Sequence, residues 1–284
     1  MTLGAPPAVA NDPGQMLPAG TAIVFNQNAP RPHVSRRQVV EQEMILHLDH
    51  HVVVVNKPSG VVTVPFGDET KEEARATLDA LVREVLAKKA EAKGAARGRA
   101  PLGIVHRLDK ETSGVLVFAR TLEAKQSLSQ QFREHTPTRR YFALVHGIVT
   151  GKRTIESYLI ENRGDGLRGS SKGGRREGQR AVTHIEALEP LRGATLIACV
   201  LETGRTHQIR IHLSEEGHPV IGDPVYIRHY KGEKIAAPRT MLHAAELGFE
   251  HPVTGETLTF SAPPPPDFIA VHRSLTLRRA EPDT

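Results

Sequence analysis

Strand-like runs dominate this sequence, and they do not alternate regularly with helical ones. Val52–Val55 is a β-branched run closed by Pro58 and Gly60. Gly114–Ala119, Tyr141–His146, Ala181–Leu188, Ala194–Glu202, Leu242–Leu247 and Leu258–Phe260 follow, each short and apolar enough for a buried strand. Helical stripes interrupt them in three places. One helix is expected over Thr70–Lys89, where Thr70 and Glu73 can form a capping box and Leu78, Leu81, Val82, Val85 and Leu86 share a face. A second starts at Thr121 with Leu122, Leu128 and Phe132 on one side, and a third runs from an N-cap at Thr206 to Gly217. A parallel sheet needs a crossover between paired strands, and this order does not supply one regularly. The expected class is therefore α+β on a largely antiparallel sheet, with a hairpin turning at Pro190–Gly193. The folded domain is expected over residues 43–268. An extended Pro-, Ala- and Gly-rich tail (1–42) precedes it, and a C-terminal tail (269–284) follows the Pro263–Pro266 run that closes the regular structure.

Composition narrows the function classes. No apolar run approaches the roughly 18 to 20 residues that span a bilayer. The first residues, MTLGAPPAVANDPGQ, have neither the charged start nor the long apolar core of a secretory signal, so a soluble, cytoplasmic protein without membrane contacts is expected. Cys199 stands alone in an apolar stretch and excludes an internal disulfide framework. Formal net charge is +5, and the basic residues are concentrated. Lys88–Pro101 is one basic stretch, and Arg163–Arg180, with Arg168, Lys172, Arg175, Arg176 and Arg180 on a Gly/Ser background, reads as a mobile basic loop. Two such stretches around a chemical motif point to a polyanion. With no Trp and 4% aromatics, serial stacking on a single strand is poorly supplied, which favours folded RNA or a flipped base.

The segment GIVHRLDKETSGVLVFAR, Gly103–Arg120, sets Asp109 in a turn ahead of a strand, with His106, Arg107 and Lys110 around it. An Asp fixed on a turn among cations can act as nucleophile or charge stabiliser toward a cationic sugar carbon, or it can simply cap its turn and bridge Arg107. In Leu201–Tyr226, Ile209 and Leu213 lie on a buried helical stripe with Arg210 beside them. A half-buried guanidinium needs an anion, and Asp109 is the obvious candidate, unless the side chain snorkels to the surface or bridges Glu202. His207 and His212 are five residues apart and cannot share one metal from a helix. No HExxH, GxxxxGK[ST] or strand-linked GxGxxG is present, so neither metal nor cofactor is expected.

Taken in order, NKPSGVVTVP (Asn56–Pro65), HRLDKETSG (His106–Gly114), RRYFALVHG (Arg139–Gly147), TGRTHQIRIHL (Thr203–Leu213), GHPVIGDPVY (Gly217–Tyr226) and LHA (Leu242–Ala244) resemble the motif series of RluA-type RNA pseudouridine synthases. The resemblance implies a mixed α/β catalytic domain whose central antiparallel sheet is split by a basic, RNA-binding cleft. It implies cofactor-independent isomerisation of specific uridines in ribosomal or transfer RNA by a monomer without protein partners. Asp109 matches the catalytic aspartate and Arg107 the arginine that enters the RNA stack when the uridine flips out. Tyr141 matches the tyrosine that packs on the target base, with removal of the C5 proton as a further role, and Arg210 the basic partner of the aspartate. His106, Arg140, Arg175, Arg176 and Arg180 are the expected RNA contacts, Arg140 standing where the family more often has Lys. The residues before the motifs are too few and too poorly patterned for the S4 RNA-binding domain that several relatives carry. Two other readings share these residues: an RNA-binding protein without catalysis, and an N-glycosidase that releases free base.

Overall fold

The computed structural model describes residues 44–65, 76–92, 101–171, 173 and 177–276. The expected N-terminal tail, Thr70 and Glu73, most of the first basic stretch, and Lys172, Arg175 and Arg176 lie outside the described residues.

Among the described residues the apolar runs fold as strands, in a single sheet of eleven. These are β1 (Ile45–Leu48), β2 (Val52–Lys57), β3 (Gly103–Ile104), β4 (Ser113–Ala119), β5 (Thr138–His146), β6 (Lys152–Ile160), β7 (Gly169–Ser170), β8 (Gln179–Leu191), β9 (Ala194–Leu201), β10 (Leu242–Glu250) and β11 (Thr257–Ser261). Spatial order is β1-β2-β4-β10-β5-β9-β8-β6-β7, with β3 on β4 and β11 on β10. Neighbours are antiparallel except β4 and β10, whose parallel contact is limited to His243 opposite Ser113 and Ala244 opposite Gly114. The expected α+β class and largely antiparallel sheet are what the molecule has, and that two-pair seam divides the sheet into halves.

The main apolar core crosses that seam: Val52, Val54, Val115 and Val117 of β2 and β4 pack with Leu128 and with Leu247 and Phe249 of β10. Leu159, Ala181, Ile211 and Tyr226 form a smaller core beside β6 and β8. Gly114 makes the seam possible. Its φ is +116°, and a methyl there would run into the Ala244 carbonyl, so only glycine fits.

Four helices accompany the sheet among the described residues: α1 (Leu78–Glu91), α2 (Leu122–Glu134), α3 (Gln208–Glu215) and α4 (Pro266–Leu275). Thr121 caps α2 by accepting the Ala124 N–H, as the sequence predicts. Leu122, however, is 71% exposed; six residues from Leu128 it sits about 120° around the helix, off the buried face. Thr206 is not the N-cap of α3. His207 occupies that position in the left-handed region, with φ 59°, and the preceding turn is closed instead by the Gln208 side chain, which accepts from Arg205 N and Thr203 Oγ1. The Pro263–Pro266 run does not end the structure. It launches α4, where Pro266 takes a position that tolerates a missing N–H and Phe268 and Leu275 are buried, so the expected tail from 269 is helical through Leu275. The hairpin is present, and β8 runs straight through Pro190. Past Glu186 this strand pairs with β9 alone, which is the edge situation proline accepts.

Candidate active site

A cleft of about 560 Å³ opens between α2 and α3, lined by Asp109, Phe132, Tyr141, His207 and Arg210 among others. A smaller hollow of about 170 Å³ lies on the other side of Asp109, against Val62–Val64 and Glu111. Asp109 therefore stands on the wall between two cavities, its side chain 23% exposed.

Its turn is clamped by backbone bonds from the Asn56–Pro65 segment. Thr63 Oγ1 donates to the Leu108 carbonyl and accepts the Leu108 N–H. Lys57 Nζ donates to the Lys110 carbonyl at 2.9 Å and to those of Pro58 and Val61. Ser59 Oγ donates to the Glu111 carbonyl. Arg239 donates to that same carbonyl from the far side and pairs with Asp267 of α4. A carboxylate held so tightly on a turn is fixed in place before any ligand arrives.

The predicted partner of Asp109 is in place. Arg210 Nη1 donates to Asp109 Oδ2 at 3.2 Å. The same guanidinium is also held by Asp223, through Nε at 2.6 Å and Nη2 at 3.0 Å, and lies over the Tyr226 ring. Burial alone would lower the pKa of Arg210, but Asp223 and Asp109 outweigh it and hold the group charged. Burial would likewise raise Asp223, and the Arg210 bonds outweigh that too, so Asp223 lies below the usual carboxylate range. Asp223 was not among the expected site residues. Its signal was the GDP turn, thirteen residues from Arg210 in sequence, which by itself does not say which cation it faces. His207 Nε2 lies 3.9 Å from Asp109, and its Nδ1 contacts the Tyr226 hydroxyl; burial lowers its pKa.

Tyr141 lies on β5 between Ala244 and Cys199 and lines the cleft. Burial pushes its phenol up to about 12, so it is neutral at physiological pH. Arg107 is exposed and borders both cavities. His106 lines the cleft but serves the fold as well: its Nε2 accepts the Val117 N–H at 3.1 Å, its ring stacks on Phe132 at 4.3 Å, and burial lowers its pKa.

Two expected RNA contacts are placed elsewhere. Arg140 alternates with Tyr141 along β5 and so points to the other face, where it borders a shallow hollow with Lys152, Arg153 and His184. Arg139, one residue earlier, shares Tyr141's face and the cleft. Arg180 belongs to β8 and is engaged by Glu156 at 2.9 and 3.0 Å and by Glu202. In the described part of the second basic stretch, Arg163 and Arg168 are also paired, with Asp165 and Glu161. No group of three His, Cys, Asp or Glu side chains among the described residues is arranged to hold a metal ion.

Comparison with known proteins identifies this architecture. The RNA pseudouridylate synthase family profile matches residues 51–215, a span that contains Asp109, Tyr141 and Arg210. The chain belongs to that family. The synthase is 36% identical over 95% of its length to a protein of Zymomonas mobilis named ribosomal large subunit pseudouridine synthase D, covering 84% of that protein. It is 40% identical to a protein of the same name from Neisseria meningitidis over 88% of its length, covering 66% of that relative. Among solved structures, human RNA pseudouridylate synthase domain containing 1 superposes with TM-score 0.62 at 27% identity, covering 79% of the synthase and 84% of the human chain. Family and names agree on an RNA-modifying isomerase. No helix among the described residues is long and apolar enough to cross a membrane.

Proposed function

We propose that the synthase isomerises uridines in folded RNA, that large-subunit ribosomal RNA is its substrate, and that Asp109 is the catalytic carboxylate. The observation that carries this reading is the Asp109 side chain, fixed on a clamped turn and exposed to the cleft beside Arg210 and Tyr141. The names of the relatives support ribosomal over transfer RNA.

Isomerisation breaks the N1–C1′ bond, rotates the uracil while it is held, and joins C5 to C1′, C5 giving up its proton and N1 taking one up, so the atoms balance. Asp109 is the one carboxylate lining both cavities, and it supplies the nucleophile or the negative charge that the cationic sugar carbon requires. Tyr141 forms the apolar surface on which the base packs and turns. A base must leave its stack to reach Asp109, at a cost of a few kcal/mol, which phosphate contacts and insertion of Arg107 into the vacated place would offset. We place the catalytic unit from about residue 43 to the end of α4, rather than ending it at 268.

The test is chromatography of nuclease-digested RNA after incubation with the synthase, together with carbodiimide-dependent reverse-transcription stops that map the modified position in large-subunit RNA. Pseudouridine at a discrete site supports the reading. Free uracil would establish an N-glycosidase, and unchanged RNA bound tightly would establish a binding protein without catalysis.

A further inference from the structure

Resting on that reading of the cleft, we propose that Arg139 and Arg205, with His135 beside them, form a second subsite that holds one phosphodiester group of the RNA strand flanking the target uridine. The starting observation is a buried cation without a counter-ion. Arg139 is 6% exposed; its guanidinium lies 5.9 Å over the Phe132 ring, and its Nη2 donates to the carbonyls of Leu201 and Glu202. Its Nε is buried without a partner. Other arginines of this molecule are answered by carboxylates: Arg210 by Asp223 and Asp109, Arg239 by Asp267, Arg180 by Glu156. Among the described residues no acidic side chain pairs with Arg139.

The groups around it have the same character. The Arg205 guanidinium donates from Nε to the Arg180 carbonyl and lines the same cleft. His135, which ends α2 in the left-handed region at φ 63°, has a buried Nδ1 without a partner. Burial and then the charges of Arg139 and Arg205 lower its pKa, against a backbone hydrogen bond at Phe132. Two guanidiniums converging without an acid repel one another, and a bound anion relieves that repulsion. Gly204 leaves the approach open, since a methyl on it would lie 2.7 Å from Arg139 Nη1.

A phosphodiester is the anion that fits. It offers two non-bridging oxygens to forked donors, and the cleft that contains Asp109 also contains this cluster, so one strand can engage both. The subsite would set register, fixing which nucleotide reaches Asp109, without taking part in the bond changes.

The probe is an RNA hairpin carrying the uridine mapped above, with each phosphodiester within about three nucleotides of it replaced in turn by a neutral methylphosphonate. Binding is measured for the wild type and for Arg205→Gln. One linkage should cost the wild type roughly tenfold or more in affinity, and the same replacement should cost Arg205→Gln less than about twofold. Arg139→Gln should repeat that pattern. Arg139 is buried and its variant can unfold, whereas Arg205 is half-buried, so the Arg205 comparison decides. Equal penalties in wild type and Arg205→Gln at every linkage, or no penalty in the wild type at any, would overturn the subsite. Failure of the wild type to bind or convert the unmodified hairpin would instead overturn the proposed function beneath it.

Discussion

Arg210 is a cation shared between two carboxylates of different duty. Asp223 takes two of its nitrogens and two backbone N–H groups, those of Val225 and Tyr226, and is fully buried. Asp109 takes the third nitrogen and remains open to the cleft. Removing Asp223 would leave a buried guanidinium with one long bond, and such uncompensated charge typically costs about 3 to 5 kcal/mol; urea unfolding of Asp223→Ala should show a loss of that order. Arg210→Lys keeps the charge but cannot hold three acceptor atoms in one plane. It should remain folded by circular dichroism while single-turnover conversion falls at least about tenfold. The Asp109–Arg210 pair was legible in the sequence because a helical stripe placed a cation beside apolar residues and only one turn offered an acid among cations. Asp223 was not, since the GDP turn gives no periodicity from which to read its direction. Arg139 was legible in principle: alternation along a strand puts 139, and not 140, on the face of Tyr141.

At the scale of single elements, α3 carries a second consequence of burial. His212 is 1% exposed, between the hydroxyls of Ser157 and Thr183. Burial pushes its pKa from 6.5 down to about 4. The unfolded chain therefore binds more protons between those values, so stability is full above about pH 6.5 and is lost as pH falls toward 4. The total is about 3 kcal/mol, and thermal melts of His212→Gln should show a shallower decline across that window than the wild type. The seam between β4 and β10 makes a different demand. Gly114→Ala combines a left-handed φ with a clash against the Ala244 carbonyl, and denaturant unfolding should register a loss of about 4 kcal/mol or more. Strands were the most legible elements, because β-branched and apolar runs coincide with them. Helix ends were the least. The cap of α3 depends on the Gln208 side chain turning back on its own turn, and the start of α4 depends on Phe268 and Leu275 finding a buried surface, and neither is local information.

At the scale of the whole molecule, two half-sheets meet at a seam two residue pairs wide, and the main apolar core runs across it. The cleft draws on both halves, Asp109 from the turn before β4 and Tyr141 with Arg210 from β5 and α3. Arg239 spans the same join, donating to the carbonyls of Glu111, Thr240 and Leu242 while it pairs with Asp267, so α4 is tied to the turn that carries Asp109. The ordered motifs of the sequence are the pieces of this one construction: the Asn56–Pro65 segment clamps, His106–Gly114 presents the acid, and Thr203–Leu213 brings the cation. The central claim is that the carboxylate of Asp109 is needed for chemistry and not for binding or folding. The direct measurement is single-turnover release of tritium from RNA labelled at uridine C5, with Asp109→Asn compared to the wild type at RNA concentrations that saturate both. The expected outcome is a native melting profile, RNA affinity within a few-fold of the wild type and no detectable release; appreciable release by Asp109→Asn would overturn the role proposed for Asp109.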